Sequence, residues 1–168
     1  MKRLFSLLTL CALMLALTAC GAPAAPSGSA SSGAASGGEV SFDAVYQGIL
    51  DAQENADELV FFPEESADAI ESLYPGLSDL KPVRLQLYLP PVTGYACEIL
   101  LVEVAEDSVD AAKAILQARV DSAANDTGYP ENAVLWQSNA QVQVQGNCLC
   151  MIALPDGYTI PENVFALG

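Results

Sequence analysis

The sequence has no histidine at all, and only six Lys and Arg stand against 21 Asp and Glu. Without an imidazole there is no Ser-His-Asp triad, no Cys-His pair and no His-containing zinc site. The scarcity of basic residues leaves a formal net charge of −15 and a pI of about 4.1. Such a surface repels phosphate backbones, which are bound by Lys and Arg displacing counterions, so nucleic acid is excluded as a partner. A Cys-x-x-Cys pair, a Walker A loop and a dinucleotide fingerprint are also missing. No cofactor and no metal is implied. What is plentiful is apolar residue content, 52% of the chain with a mean hydropathy of +0.32. Both figures are inflated by the first twenty residues and an Ala-rich spacer, and the remainder suits one domain.

The amino terminus carries the most specific signal. Lys2 and Arg3 precede 14 uncharged residues, Leu4 to Leu17. That run is shorter than the ~20 residues needed to cross a hydrocarbon core, and it reads as a signal peptide over residues 1–19. Leu17-Thr18-Ala19-Cys20-Gly21 resembles the bacterial lipobox. The resemblance implies cleavage before Cys20 and a thioether-linked diacylglycerol on its sulfur. One acyl chain holds a protein marginally and two hold it firmly, so Cys20 is expected to be a membrane anchor on the extracytoplasmic face.

Residues 20–38 follow the cleavage site, and from 21 onward only Gly, Ala, Ser and Pro occur. This composition cannot bury enough apolar surface to offset chain ordering, so a flexible linker spanning about 23 Å is expected. Cleavage would remove Lys2 and Arg3, leaving Lys81, Arg84, Lys113 and Arg119 against the 21 acids, 4 − 21 = −17. The linker exceeds two Debye lengths of about 8 Å, which keeps this charge screened from an anionic bilayer.

Residues 39–168 form the expected globular domain. Ser41 can cap a helix over 42–55, with Phe42, Val45, Tyr46, Ile49 and Gln53 on one face. Leu59 to Phe62 has no decisive period. Pro63 fits the first turn of a second helix that presents Ala67, Ile70, Leu73 and Tyr74 and stops at Pro75-Gly76. Val83, Leu85, Leu87 and Leu89 alternate with polar residues as in a half-buried strand, and Pro90 to Gly94 turns into a nearly continuous apolar run over 96–104, a central strand. Asp107 or Ser108 caps a helix striped by Val109, Ala112, Leu116, Val120 and Ala123, and a short helical turn follows over Pro130 to Trp136. Alternating Gln and Val over 141–145, a Gly146-Asn147 turn and the apolar segment Cys148 to Leu154 complete a second hairpin. Two hairpins flanking a helix predict an α+β domain, an antiparallel sheet of about four strands covered on one face by helices.

With its lipobox, spacer and the run from about 96 to 154, the chain is similar to lipoproteins carrying domain of unknown function 4358, common in Gram-positive anaerobes of the gut. The matching features are the strand with Glu98, the helix carrying Arg119, the Tyr129-Pro130-Glu131 segment and the Gly146 hairpin. Such proteins often place a Tyr after the hairpin glycine, where this chain has Asn147-Cys148. The resemblance implies an extracytoplasmic lipoprotein and no particular activity.

Arg119, Glu98 and Tyr129 are the candidate ligand-binding residues. Arg119 borders the apolar stripe of its helix, where its guanidinium either pairs with Glu98 or Glu103 or clamps a ligand carboxylate. Cys97, Cys148 and Cys150 are open to three readings: small buried hydrophobes, a disulfide from Cys97 to Cys148 or Cys150, or a metal or redox role. Acids such as Glu64-Glu65 and Glu106-Asp107 sit where helix starts favour them. The expected function is a binding or accessory module of the cell envelope whose ligand is a partner protein, a peptide or a cation. The competing class is a wall-directed hydrolase using carboxylates or a metal.

Overall fold

The structure, a computed structural model, describes residues 39–92 and 95–168. The signal peptide, Cys20 and the linker lie outside the described residues, as does the Thr93-Gly94 step of the first hairpin turn. Helix α1 (Phe42–Asp51) leads to β1 (Phe62–Glu64) and α2 (Ala67–Leu73). The hairpin of β2 (Arg84–Leu89) and β3 (Glu98–Glu103) follows. Helices α3 (Val109–Ala124) and α4 (Pro130–Ser138) then lead to the hairpin of β4 (Ala140–Gln145) and β5 (Cys148–Ala153). The class is α+β: one five-stranded antiparallel sheet in the order β1-β2-β3-β5-β4. The apolar runs β3 and β5 lie at its centre, with Leu100 opposite Met151 and Val102 opposite Leu149. Gly146 takes a positive φ of 60° at the first position of the two-residue turn between β4 and β5, a conformation that carries no Cβ penalty in glycine.

Two local expectations, and one about the cover of the sheet, are corrected. Helix α1 ends at Asp51 rather than near 55. The Gln53 side chain donates to the Ile49 carbonyl at 3.0 Å, and the Gln53 N–H turns instead to Leu50 O at 2.9 Å. Pro63 is not in a helix: Phe62 pairs with Leu89 and Glu64 with Leu87, making β1 a fifth strand at the sheet edge, where a missing N–H is tolerated. The second helix begins after Ser66, whose Oγ accepts the Ala69 N–H at 3.3 Å.

The third correction concerns coverage. Helices pack on both faces of the sheet rather than on one. On the first face, Leu87, Leu100, Val102, Leu149 and Met151 meet Leu116 and Val120 of α3, Trp136 of α4 and Tyr74 after α2. On the other, Ile99, Leu101, Cys150 and Ile152 meet Phe42, Val45 and Ile49 of α1 together with Val164 and Phe165 near the carboxyl end. The polar alternates of β2 serve this second face. Tyr88 stacks on Tyr46 with ring centroids 3.9 Å apart, Gln86 donates to Asp43 at 2.9 Å, and the Arg84 guanidinium lies 4.5 Å from the Phe42 ring centroid.

The irregular segment after β5 is pinned by three amide side chains. Gln53 exchanges two hydrogen bonds with Thr159, Gln143 bonds Pro161 O and the Val164 N–H, and Asn139 donates to Leu154, Pro155 and Tyr158 carbonyls. Gly48 allows the closest approach, since a Cβ there would stand 2.5 Å from Leu167 Cβ. Gly48→Ala is therefore expected to lower stability by about 1–3 kcal/mol through overpacking. In a chain lacking Leu167 and Gly168 the same change should instead stabilise by up to about 1 kcal/mol, because alanine favours helix. Urea midpoints of the four proteins give the sign in each background.

Candidate functional site

Glu98 opens β3 with the same parity as Leu100 and Val102, so it faces α3 from beneath. Its side chain is 3% exposed, an arrangement that is costly for a carboxylate unless it is paired. The pairing is complete. Arg119 Nε donates to Oε1 at 3.2 Å and Nη2 to Oε2 at 2.6 Å, while the fully buried Tyr74 hydroxyl also donates to Oε1. The guanidinium lies over Trp136, 4.8 Å from the ring centroid. Burial works against the Arg119 charge, but the Glu98 bonds outweigh it and the guanidinium is held above its usual pKa. Burial, then the Glu98 carboxylate, pushes the Tyr74 hydroxyl well above its ordinary range.

Of the two carboxylates open to Arg119, the fold selects Glu98. Glu103 belongs to Arg84, bonded by Nε and Nη2 at 2.6 Å each, with Glu39 at 3.3 Å from Nη1 and Asn147 Nδ2 donating to Glu103 Oε1 at 2.9 Å. Asn147 therefore anchors the hairpin to β3 through a carboxylate.

Above the Arg119 pair opens a cavity of about 490 Å³. It is built from the end of α3, the loop into α4, the start of α4 and the residue Tyr95 ahead of β3. Arg119 and Trp136 line it together with Tyr95, Tyr129, Asp126 and Asn132. The loop is fixed by its own side chains: Asn125 Nδ2 donates to Asp121 O at 2.7 Å, the Gly128 N–H to Asp126 Oδ1 at 2.7 Å, and Gln137 Nε2 to Ala124 O at 2.7 Å. Pro130 starts α4 without forfeiting a hydrogen bond. Tyr95 and Tyr129 are 61% and 60% exposed beside this fixed frame.

The structure thus brings Arg119 and Glu98 into contact and puts Tyr129 on the same cavity as Arg119, with Glu98 behind it. Tyr95, Trp136 and Tyr74 are the members that sequence reasoning missed. The signal available for Tyr95 was an aromatic beside Gly94 between two strand-like runs. Tyr74 and Trp136 read as ordinary apolar helix positions.

Cys97, Cys148 and Cys150 are buried free thiols. The register sets Cys150 opposite Leu101 and Cys148 opposite Glu103, so Cys97 lies at least four positions away along the ladder. At about 3.3 Å per residue that is about 13 Å, beyond disulfide reach. Among the described residues no three His, Cys, Asp or Glu side chains cluster closely enough to hold a metal ion.

Burial raises Cys97 from 9.0 to about 12 and pushes Cys150 higher still. A folded pKa above the unfolded one means that the stabilising contribution is complete below the unfolded value and lost as pH rises past it. The melting temperature is expected to hold up to about pH 8.5 and to fall above about pH 9, as these thiols and then Tyr74 are drawn toward ionisation. Thermal melts across that range test it. Cys97 and Cys150 should also resist a thiol-specific reagent at about pH 8 until denaturant is added.

The chain matches the domain of unknown function DUF4358 over residues 64–154. No curated protein and no solved structure matches it. The matched stretch contains α2 through β5, and with them the Glu98–Arg119 pair and every residue lining the cavity. Helix α1 and the segment from Pro155 onward, which build the second face, lie outside it. The chain belongs to the DUF4358 family.

Proposed function

We propose that the protein is an extracytoplasmic lipoprotein, held to the membrane by a diacylglyceryl group on Cys20, and that its globular domain is a binding or accessory module of the cell envelope. Residues 1–19 as signal peptide and 20–38 as spacer support the location: a basic start, a short apolar run and a lipobox-like ending are what lipid attachment requires. The observation that carries the binding role is the cavity beside Tyr95 and Tyr129. Two large aromatic side chains are left in solvent next to a concavity whose floor and loop are already hydrogen-bonded, the pre-organised state from which binding costs least entropy. A glycoside hydrolase of the usual carboxylate type needs two carboxyls converging on one cleft. Asp126 is the one acid among the described lining residues, and its Oδ1 already accepts the Gly128 N–H. The net charge of −15 disfavours an anionic ligand and leaves an envelope protein, a peptide, a cation or an uncharged molecule as the classes the module can take.

The test uses cells of the native host. Growth with an alkyne fatty acid should label the wild-type protein and leave Cys20→Ala unlabelled and released into the medium. A photoreactive amino acid at position 129 should capture a specific component of the envelope, while one at the exposed Lys113 should not. An unlabelled, freely released wild type would overturn the anchor, and equal capture at both positions would overturn the groove as the binding site.

A further inference from the structure

The class of ligand follows from how the cavity's polar atoms are already engaged. Arg119 gives Nε and Nη2 to Glu98, and among the described residues Nη1 has no hydrogen-bond partner. The guanidinium charge is matched by a carboxylate 3% exposed, so the cavity offers a donor without an excess positive charge. Asp126, within a chain of net charge −15, opposes a carboxylate or phosphate ligand, and to an ammonium group it offers a single carboxylate, one oxygen of which already accepts the Gly128 N–H. Asp126 Oδ2 and the Asn132 amide supply acceptors and donors that no described residue occupies. Tyr95 and Tyr129 add flat apolar faces with polar tips. A peptide that binds by adding a strand finds no sheet edge here, because the cavity is bounded by two helices, their loop and Tyr95. Aromatic faces beside neutral donors and acceptors match a neutral ring with C–H groups on its face and hydroxyls around its rim.

We infer that the cavity takes a neutral oligosaccharide, with Tyr95 and Tyr129 stacking on sugar faces while Arg119 Nη1, Asp126 and Asn132 hydrogen-bond ring hydroxyls. This rests on the reading of the cavity as the binding site and names what enters it. Trp136, the one tryptophan of the chain, lines the cavity and reports occupancy by its fluorescence.

The full chain, in a detergent that carries no sugar, is titrated with N-acetylglucosamine tetramer, cellotetraose and maltotetraose, and in parallel with penta-alanine and spermine. At least one oligosaccharide is expected to change Trp136 emission saturably with a Kd below about 1 mM. Tyr95→Ala and Tyr129→Ala should each weaken that binding by about tenfold or more at an unchanged melting temperature, because both side chains are exposed. Absence of saturation by every oligosaccharide at about 10 mM, or equal affinity in both tyrosine variants, overturns the inference. If penta-alanine or spermine alone shifts Trp136 in a tyrosine-dependent way, the sugar assignment fails while the cavity remains a binding site. If no probe binds and position 129 captures nothing on cells, both readings fail together.

Discussion

Arg119→Ala is expected to lower the unfolding free energy by about 3–5 kcal/mol, the usual consequence of leaving a buried carboxylate without its counter-ion. Glu98 is enclosed on the first face of the sheet with Arg119 and Tyr74 as its only described side-chain donors, so truncating Arg119 removes both charged hydrogen bonds and leaves Tyr74 alone. Glu98→Ala should cost a similar amount by stranding Arg119 and the Tyr74 hydroxyl. The double change Glu98→Leu with Arg119→Met removes both charges together and should recover most of the loss, since a well-packed apolar pair is often as stable as a buried ion pair. Urea denaturation at constant slope, with the single changes Glu98→Leu and Arg119→Met added to complete the cycle, yields the coupling. Additive losses in the double variant would show that the two residues act separately. The same series bears on ligand binding, because Arg119, held in place by Glu98, lines the cavity.

A chain ending at Asn163 should lose about 3–6 kcal/mol, enough to bring a domain of ordinary stability close to unfolding. Val164 is fully buried and Phe165 is 5% exposed against α1 and the outer face of β5. Each contributes roughly 1.5–3 kcal/mol by leaving water. Their removal also exposes Ile152 and Cys150 and frees Gln143 from the Val164 N–H. The shortened chain should therefore show a lowered melting temperature together with faster modification of Cys150. A melting temperature within a few degrees of wild type would mean that α1 covers this face unaided.

The two faces of the sheet differ in how openly the sequence displays them. The first is written in long periodic segments: the stripe Ala112, Leu116, Val120 on α3, and the alternation of Leu85, Leu87 and Leu89 on β2. The second hides behind polar letters. Arg84, Gln86 and Tyr88 read as solvent-facing alternates, yet each closes against α1 through a ring face or a side-chain hydrogen bond. Gln53 and Gln143 likewise look like surface residues until their amides are seen holding a segment more than 15 residues distant. Strand β1 escaped recognition because three residues containing a proline have no measurable period, and only the pairing with Leu87 and Leu89 makes them a strand.

By itself the sequence determined the α+β class, the two hairpins, the buried face of α3, the Gly146 turn and the choice of Arg119, Glu98 and Tyr129 as residues to watch. The fold features follow from periodicity and turn chemistry, which act over a few neighbouring residues, whereas Glu98 and Tyr129 stood out through the family resemblance. Only the tertiary structure decided that Arg119 takes Glu98 and leaves Glu103 to Arg84, that Cys97 stands too far from the other thiols to bridge, and that Tyr95 joins Tyr129 on one cavity. Each of those outcomes depends on strand register and on where a helix crosses the sheet. A shift of two residues in the β3–β5 register would preserve the apolar alternation of both strands and change the separation of Cys97 from Cys148 and Cys150, as the same shift between β2 and β3 would part Arg84 from Glu103.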